Sequence, residues 1–159
     1  GHAIAAELAE RGSVAVVTIT SRGQALGYTR QAPPPDRYLY TAKALRGQIR
    51  VCLAGSAAEE LLLGEGSTGS GGDYQRALEL AKKMVKAGLS PLGIVSLEDL
   101  PTSLLHRTVS RILAEEQRQV TEELAGYQEV IGELGQVLLE QEKIQGHKLR
   151  ERLDFLKAS

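Results

Sequence analysis

Imidazoles, carboxylates and a glycine-rich loop are the features of this sequence able to do more than pack. His2 leads straight into the alanine-rich stretch Ala3 to Arg11, and Asp73 opens a helical stretch directly after Gly64 to Gly72. A carboxylate beside a helix N-terminus is held ionised by the helix dipole and is a hard, anionic metal ligand. The same residue has a plainer reading: Ser70-x-x-Asp73 fits a capping box, and on spacing alone the cap is preferred. A zinc site needs about three protein ligands and an open position, and no second histidine lies four residues from His2. His106 and His147 stand in polar surroundings near expected helix starts, which suits solvated or capping side chains. Gly64, Gly66 and Gly69 spell GxGxxG, but a helix precedes them and no Lys-Ser/Thr follows. Asp73 also puts negative charge where a phosphate needs bare N–H groups, so a nucleotide cradle is rejected.

A mostly helical chain is expected to position these groups. Residues 3–11 read as the tail of a short helix, with Ile4 and Leu8 on one face and Gly12 as its stop. Val14 to Thr20 is rich in β-branched residues and reads as a strand, with Ala25 to Arg30 as its hairpin partner and Pro33-Pro34-Pro35 as its end. Thr41 is placed to cap a helix over about 42–63, whose stripe Leu45, Ile49, Cys52, Leu53 and Ser56 runs into Glu59, Glu60 and Leu63. A carboxylate thereby meets an apolar face. A helix over about 73–87 points Ala77, Leu80, Ala81 and Met84 inward, and Leu105 to Tyr127 keeps helical spacing for some two dozen residues. Gly132 and Gly135 blur the end of that helix. A second run, Val137 to Ile144, closes at Gln145-Gly146, and a last short helix carries Leu149, Leu153 and Leu156. The fold class is mainly α with a small β-hairpin near the N-terminus.

Composition narrows the function classes. The 159 residues are 42% hydrophobic and 25% charged, ordinary for a globular protein, and suffice for one core. Nineteen Lys and Arg against 20 Asp and Glu leave a net charge of −1, so no basic field exists to displace counterions and nucleic acid is not an expected partner. The single cysteine, Cys52, excludes an internal disulfide framework and a Cys-only zinc site, and reads as core filler. No stretch approaches the roughly 18–20 apolar residues of a membrane span, so the segment itself reads as soluble.

Taken together, these segments closely resemble the peptidase domain of the FtsH family, membrane-anchored ATP-dependent zinc metalloproteases. Gly1-His2-Ala3 matches the end of that family's HExGHA, Arg22 to Thr29 its RGxALGxT, and Asp36 to Thr41 its DRYxYT. Gly55-Ser56-Ala57-Ala58-Glu59-Glu60-Leu61 matches GRAAEEL, Ser67 to Asp73 matches STGASND, and Leu138 to Gly146 resembles the family's C-terminal helix junction. The matches fall in order along the whole chain. In the family motif, histidines at i and i+4 share a helix face and bind one zinc ion, with the glutamate between them as general base.

The resemblance implies that His2 is the second of those histidines and Asp73 the third zinc ligand, which reverses the preference for a plain cap. Glu59 is assigned a supporting role, orienting a ligand histidine through its other ring nitrogen. The strand containing Leu26, Gly27, Tyr28 and Thr29 is expected to offer an edge to extended protein substrates. One peptidase-like domain over 1–159 follows, with a metal-site half at 1–100 and a C-terminal helical part at 101–159. For the parent protein the resemblance implies a membrane anchor, an ATP-driven module and a homo-hexamer, with the peptidase domain facing the cytoplasm or an organelle interior.

The first histidine and the glutamate of the motif would stand three and two places before Gly1, and so outside this sequence. Either the segment begins inside the motif, or Gly1-His2 is a tag remnant that imitates it. Under both, the 159 residues are expected not to hydrolyse peptides and to hold zinc weakly or not at all. The rival reading is a non-catalytic peptidase fold serving as a helical assembly platform or adaptor. Gly71-Gly72 before Asp73, and Ser56 in place of a basic residue, are the departures that support it.

Overall fold

In a computed structural model, residues 1–19, 28–31 and 39–158 are described. Six helices and a small antiparallel sheet account for most of them, which agrees with the expected mainly α class. The first helix, α1 (His2–Ala9), is followed by strands β1 (Val14–Thr18) and β2 (Tyr28–Gln31) and by the long α2 (Ala42–Leu63). A 3-10 turn at Thr68–Ser70 leads into α3 (Gly71–Lys86), and α4 (Thr102–Ala125) and α5 (Gln128–Gln141) complete the bundle. The chain closes with β3 (Lys143–Gln145) and α6 (Gly146–Ala158).

The central element is α2, which packs against α1, α3, α4 and α5. It starts where its sequence demands: the Thr41 hydroxyl accepts from Ala44 N at 3.1 Å, and the helix ends on Gly64 in the left-handed conformation. Its stripe of Leu45, Ile49, Cys52, Leu53 and Ala57 is buried and joins Ile4, Met84, Ile112, Leu124 and Leu149 in one core. A charged seam binds it to α4. Glu116, 1% exposed, pairs with Arg46 Nη1 and stands 3.2 Å from Arg50 Nε, while Arg50 Nη1 donates to Glu123 at 2.6 Å.

The sheet order is β2-β1-β3, with β1 central and antiparallel to both neighbours. Val14, Val16 and Thr18 point inward, as alternation in a one-face-buried strand requires. Two sequence expectations need correction here. The Val137–Ile144 run does not stay helical: Glu142 takes a left-handed φ of 59°, ends α5, and Ile144 pairs with Val17 in β3. The first strand stops at Thr18 rather than Thr20. Of the expected partner strand, Tyr28 and Thr29 lie in β2 at the sheet edge, whereas Leu26, Gly27, most of RGxALGxT and Pro33 to Pro35 lie outside the described residues.

The C-terminal segment holds the first helix in place. Glu7 on α1, 6% exposed, accepts from Gly12 N at 2.8 Å, from Val14 N at 2.9 Å and from Arg150 Nη1 of α6 at 3.0 Å. Arg150 also donates to the Val14 carbonyl at 3.2 Å. One buried carboxylate thus satisfies two turn amides and is neutralised by a cation from the far end of the chain. The C-terminal helix can come this close because Gly146, at its start, has no side chain: a Cβ there would stand 1.9 Å from the Val14 carbonyl oxygen.

Candidate metal centre

Two side chains 71 positions apart meet at the start of α1 and the start of α3. His2 Nε2 lies 3.1 Å from Asp73 Oδ2, within hydrogen-bonding distance. Both side chains are partly open to solvent, 38% and 39% exposed, so an incoming ion or substrate can reach them. Asp73 falls in the first turn of α3, where the helix dipole favours its negative charge.

Asp73 does not serve the cap that its spacing suggested. Ser70 is the residue before α3, is buried, and makes no side-chain capping hydrogen bond. The carboxylate instead turns across to α1. Donors sharing one tetrahedral zinc ion at bond lengths of about 2.0–2.2 Å stand about 3.3–3.6 Å apart, so the observed 3.1 Å is a few tenths of an ångström short of the spacing of two ligands of one ion. An imidazole nitrogen and a carboxylate oxygen are also the donor types zinc accepts. Among the described residues no group of three or more His, Cys, Asp or Glu could hold a metal ion, so the pair has no third ligand among them.

Glu59 sits four residues beyond Gly55 on α2, and its Oε2 accepts from the backbone N–H of Ser67 at 2.9 Å. It thereby fastens the loop that delivers Asp73. The Ser67 hydroxyl accepts in turn from Gly69 N at 3.3 Å. Tyr28 and Thr29 belong to the edge strand β2 and pair with Thr18 and Val17.

Spacing gave no sign of the surface beneath His2. Its imidazole lies on α2 at Gly55, where a Cβ would be 2.3 Å from Cε1. A Cβ at Gly1 would likewise stand 2.1 Å from the Ala54 carbonyl oxygen. The run Ala54, Gly55, Ala57, Ala58 was the available signal, since small residues on a helix allow close approach by another. The neighbouring Cys52 is buried beneath the same region; burial raises its thiol pKa, with Asp73 adding to the rise and Arg76 opposing it.

Residues 1–104 match the family described as peptidase family M41. The ATP-dependent zinc metalloprotease FtsH of Ralstonia pickettii is 38% identical over 186 residues, spanning 99% of this chain and 25% of that protein. The protein of the same name from Pseudothermotoga lettingae is 36% identical over 176 residues, or 96% of this chain and 28% of its own length. That of Acaryochloris marina is 47% identical over 87 residues, 54% of this chain. The chain therefore spans about a quarter of the length of the first two of these curated relatives. With its helical architecture, its ordered motif matches and these similarities in agreement, the chain belongs to peptidase family M41.

Proposed function

We propose that this chain is the peptidase portion of a membrane-anchored, ATP-dependent zinc endopeptidase that degrades unfolded or membrane proteins, and that His2 and Asp73 are two of its three zinc ligands. The observation that carries the reading is the 3.1 Å approach of His2 Nε2 to Asp73 Oδ2. Nothing about a plain helix cap requires an imidazole there. Names of the FtsH relatives support zinc, ATP dependence and proteolysis. No helix among the described residues is long and apolar enough to cross a membrane; the anchor, the ATP-driven module and the hexamer are proposals for the whole protein, by its similarity to the FtsH relatives.

When bound, zinc lowers the pKa of its water toward about 7 and polarises the scissile carbonyl. The chain's own residues prepare for this. His2 presents Nε2 from a helix held at its far end by Glu7, and Asp73 offers a carboxylate oxygen from the first turn of α3. Glu59 is assigned the orienting of a ligand histidine through its other ring nitrogen, and its hydrogen bond from Ser67 N also fixes the loop ahead of Asp73. The β2 edge, with Tyr28 and Thr29, offers main-chain hydrogen bonds to an extended substrate, a mode broad in sequence preference. The remaining histidine and the general-base glutamate come from residues encoded before Gly1.

Two measurements test the proposal together. The codons directly upstream of Gly1 are expected to encode His-Glu-x, and a protein extended to include them is expected to cleave unfolded casein with zinc. His2→Ala or Asp73→Ala should remove that cleavage, while the 159 residues alone should show none even with zinc added. Another pair of residues upstream, or casein turnover that survives Asp73→Ala, would contradict the proposal, the first in favour of a non-catalytic platform.

A further inference from the structure

We infer that Gly55 is a positioning residue for His2: the missing side chain at this point of α2 sets the height and plane of the imidazole and so the aim of Nε2 at Asp73. The inference rests on the proposed role of His2 and Asp73 as zinc ligands. A Cβ built at Gly55 would meet three atoms of the ring, Cε1 at 2.3 Å, Nε2 at 3.0 Å and Nδ1 at 3.1 Å. The ring therefore lies across the glycine instead of touching it at one corner. No real Cβ tolerates a contact of 2.3 Å, so any larger residue must displace the imidazole.

The helix that carries His2 is seated closely on α2. At Gly1 the backbone sits against α2, where a Cβ would be 2.1 Å from the Ala54 carbonyl oxygen and 2.8 Å from the Ala58 Cβ. At its other end Glu7 is bonded to Gly12 N, Val14 N and Arg150. An added methyl at 55 is relieved by rotating the ring or by lifting the start of α1 off α2, and either takes Nε2 off the 3.1 Å line to Asp73.

A second glycine in the same helix supplies the contrast. Gly47 is also interior to α2, and its Cβ would meet only the Ala9 Cβ at 3.6 Å, an ordinary contact. Glycine is disfavoured in a helix interior relative to alanine. Gly47→Ala should therefore stabilise the helix without touching the site, whereas Gly55→Ala sets the same gain in propensity against the imidazole.

The test uses the full-length protein, with Co²⁺ as the probe metal and its visible absorption as the reporter of ligand geometry. Gly47→Ala should keep the cobalt affinity and spectrum and raise the thermal midpoint. Gly55→Ala should keep its helical circular dichroism, lose about 10–100-fold in cobalt affinity and change the spectrum. In a His2→Ala background, where the ring is gone, Gly55→Ala should raise the thermal midpoint as Gly47→Ala does. Wild-type cobalt affinity and spectrum in Gly55→Ala would overturn the inference, and so would an equal drop in thermal midpoint with and without the imidazole. An intact protein that takes up no cobalt would instead overturn the zinc assignment on which the inference rests.

Discussion

Asp73 illustrates how little a residue's own surroundings in sequence determine its job. By spacing it belongs to a capping box with Ser70; in the fold it faces an imidazole 3.1 Å away from a different helix. Neighbouring residues carry predictions of their own. Cys52 is 7% exposed and burial raises its thiol pKa. Since the thiolate is the reactive form, iodoacetamide at pH 8 should label the native protein at least about tenfold more slowly than the urea-unfolded chain. Equal rates would place the thiol in solvent. Glu142 is the one non-glycine with positive φ among the described residues, at 59°. A left-handed conformation costs a residue with a Cβ about 1–2 kcal/mol, so Glu142→Gly should raise stability by about 1 kcal/mol in urea unfolding. A loss of stability would mean that the side chain contributes more than the backbone strain takes away.

Between elements, the seam of α2 and α4 is the interaction most exposed to single changes. Glu116 is buried against Arg46 and Arg50, so Glu116→Ala leaves two guanidinium groups short of a partner and should cost about 3 kcal/mol with an unchanged urea m-value. The adjacent Glu115 has its pKa lowered, chiefly by hydrogen bonding to Arg111 and also by Arg46, against an opposing effect of burial. A lowered native pKa means that its contribution is present above the ordinary carboxylate range and disappears as pH falls through the native value. Glu115→Gln should accordingly narrow the drop in thermal midpoint between pH 7 and pH 3; an identical drop would remove Glu115 from the acid response.

Element boundaries with a local chemical cause were legible in the sequence. Thr41 announces α2 and Gly64 ends it, and the alternation of Val14, Val16 and Thr18 marks β1. β3 was not legible: it is three residues long, and its strand geometry comes from groups that β1 supplies across more than a hundred positions. At the site, His2 and Asp73 were legible only through the ordered family motifs, because neither spacing nor composition says which helices cross. The seat at Gly55 was legible only as a run of small residues that lets another helix approach, since a small residue in a helix does not name what rests on it.

Across the whole molecule, the first and last helices are one assembly. Arg150 of α6 reaches both Glu7 and the Val14 carbonyl, so the helix that carries His2 is braced by the C-terminal segment as well as seated on α2. One core runs from Ala3 to Leu153 through all the helices, and the His2–Asp73 pair lies at its surface, where α1 and α3 begin. The most direct test of the shared-ion claim is an anomalous difference map at the zinc edge, from crystals of the protein extended through the residues before Gly1. A single peak about 2.0–2.2 Å from both His2 Nε2 and Asp73 Oδ2 is the predicted result. A map with no peak between those two atoms, or with zinc bound elsewhere, would contradict it.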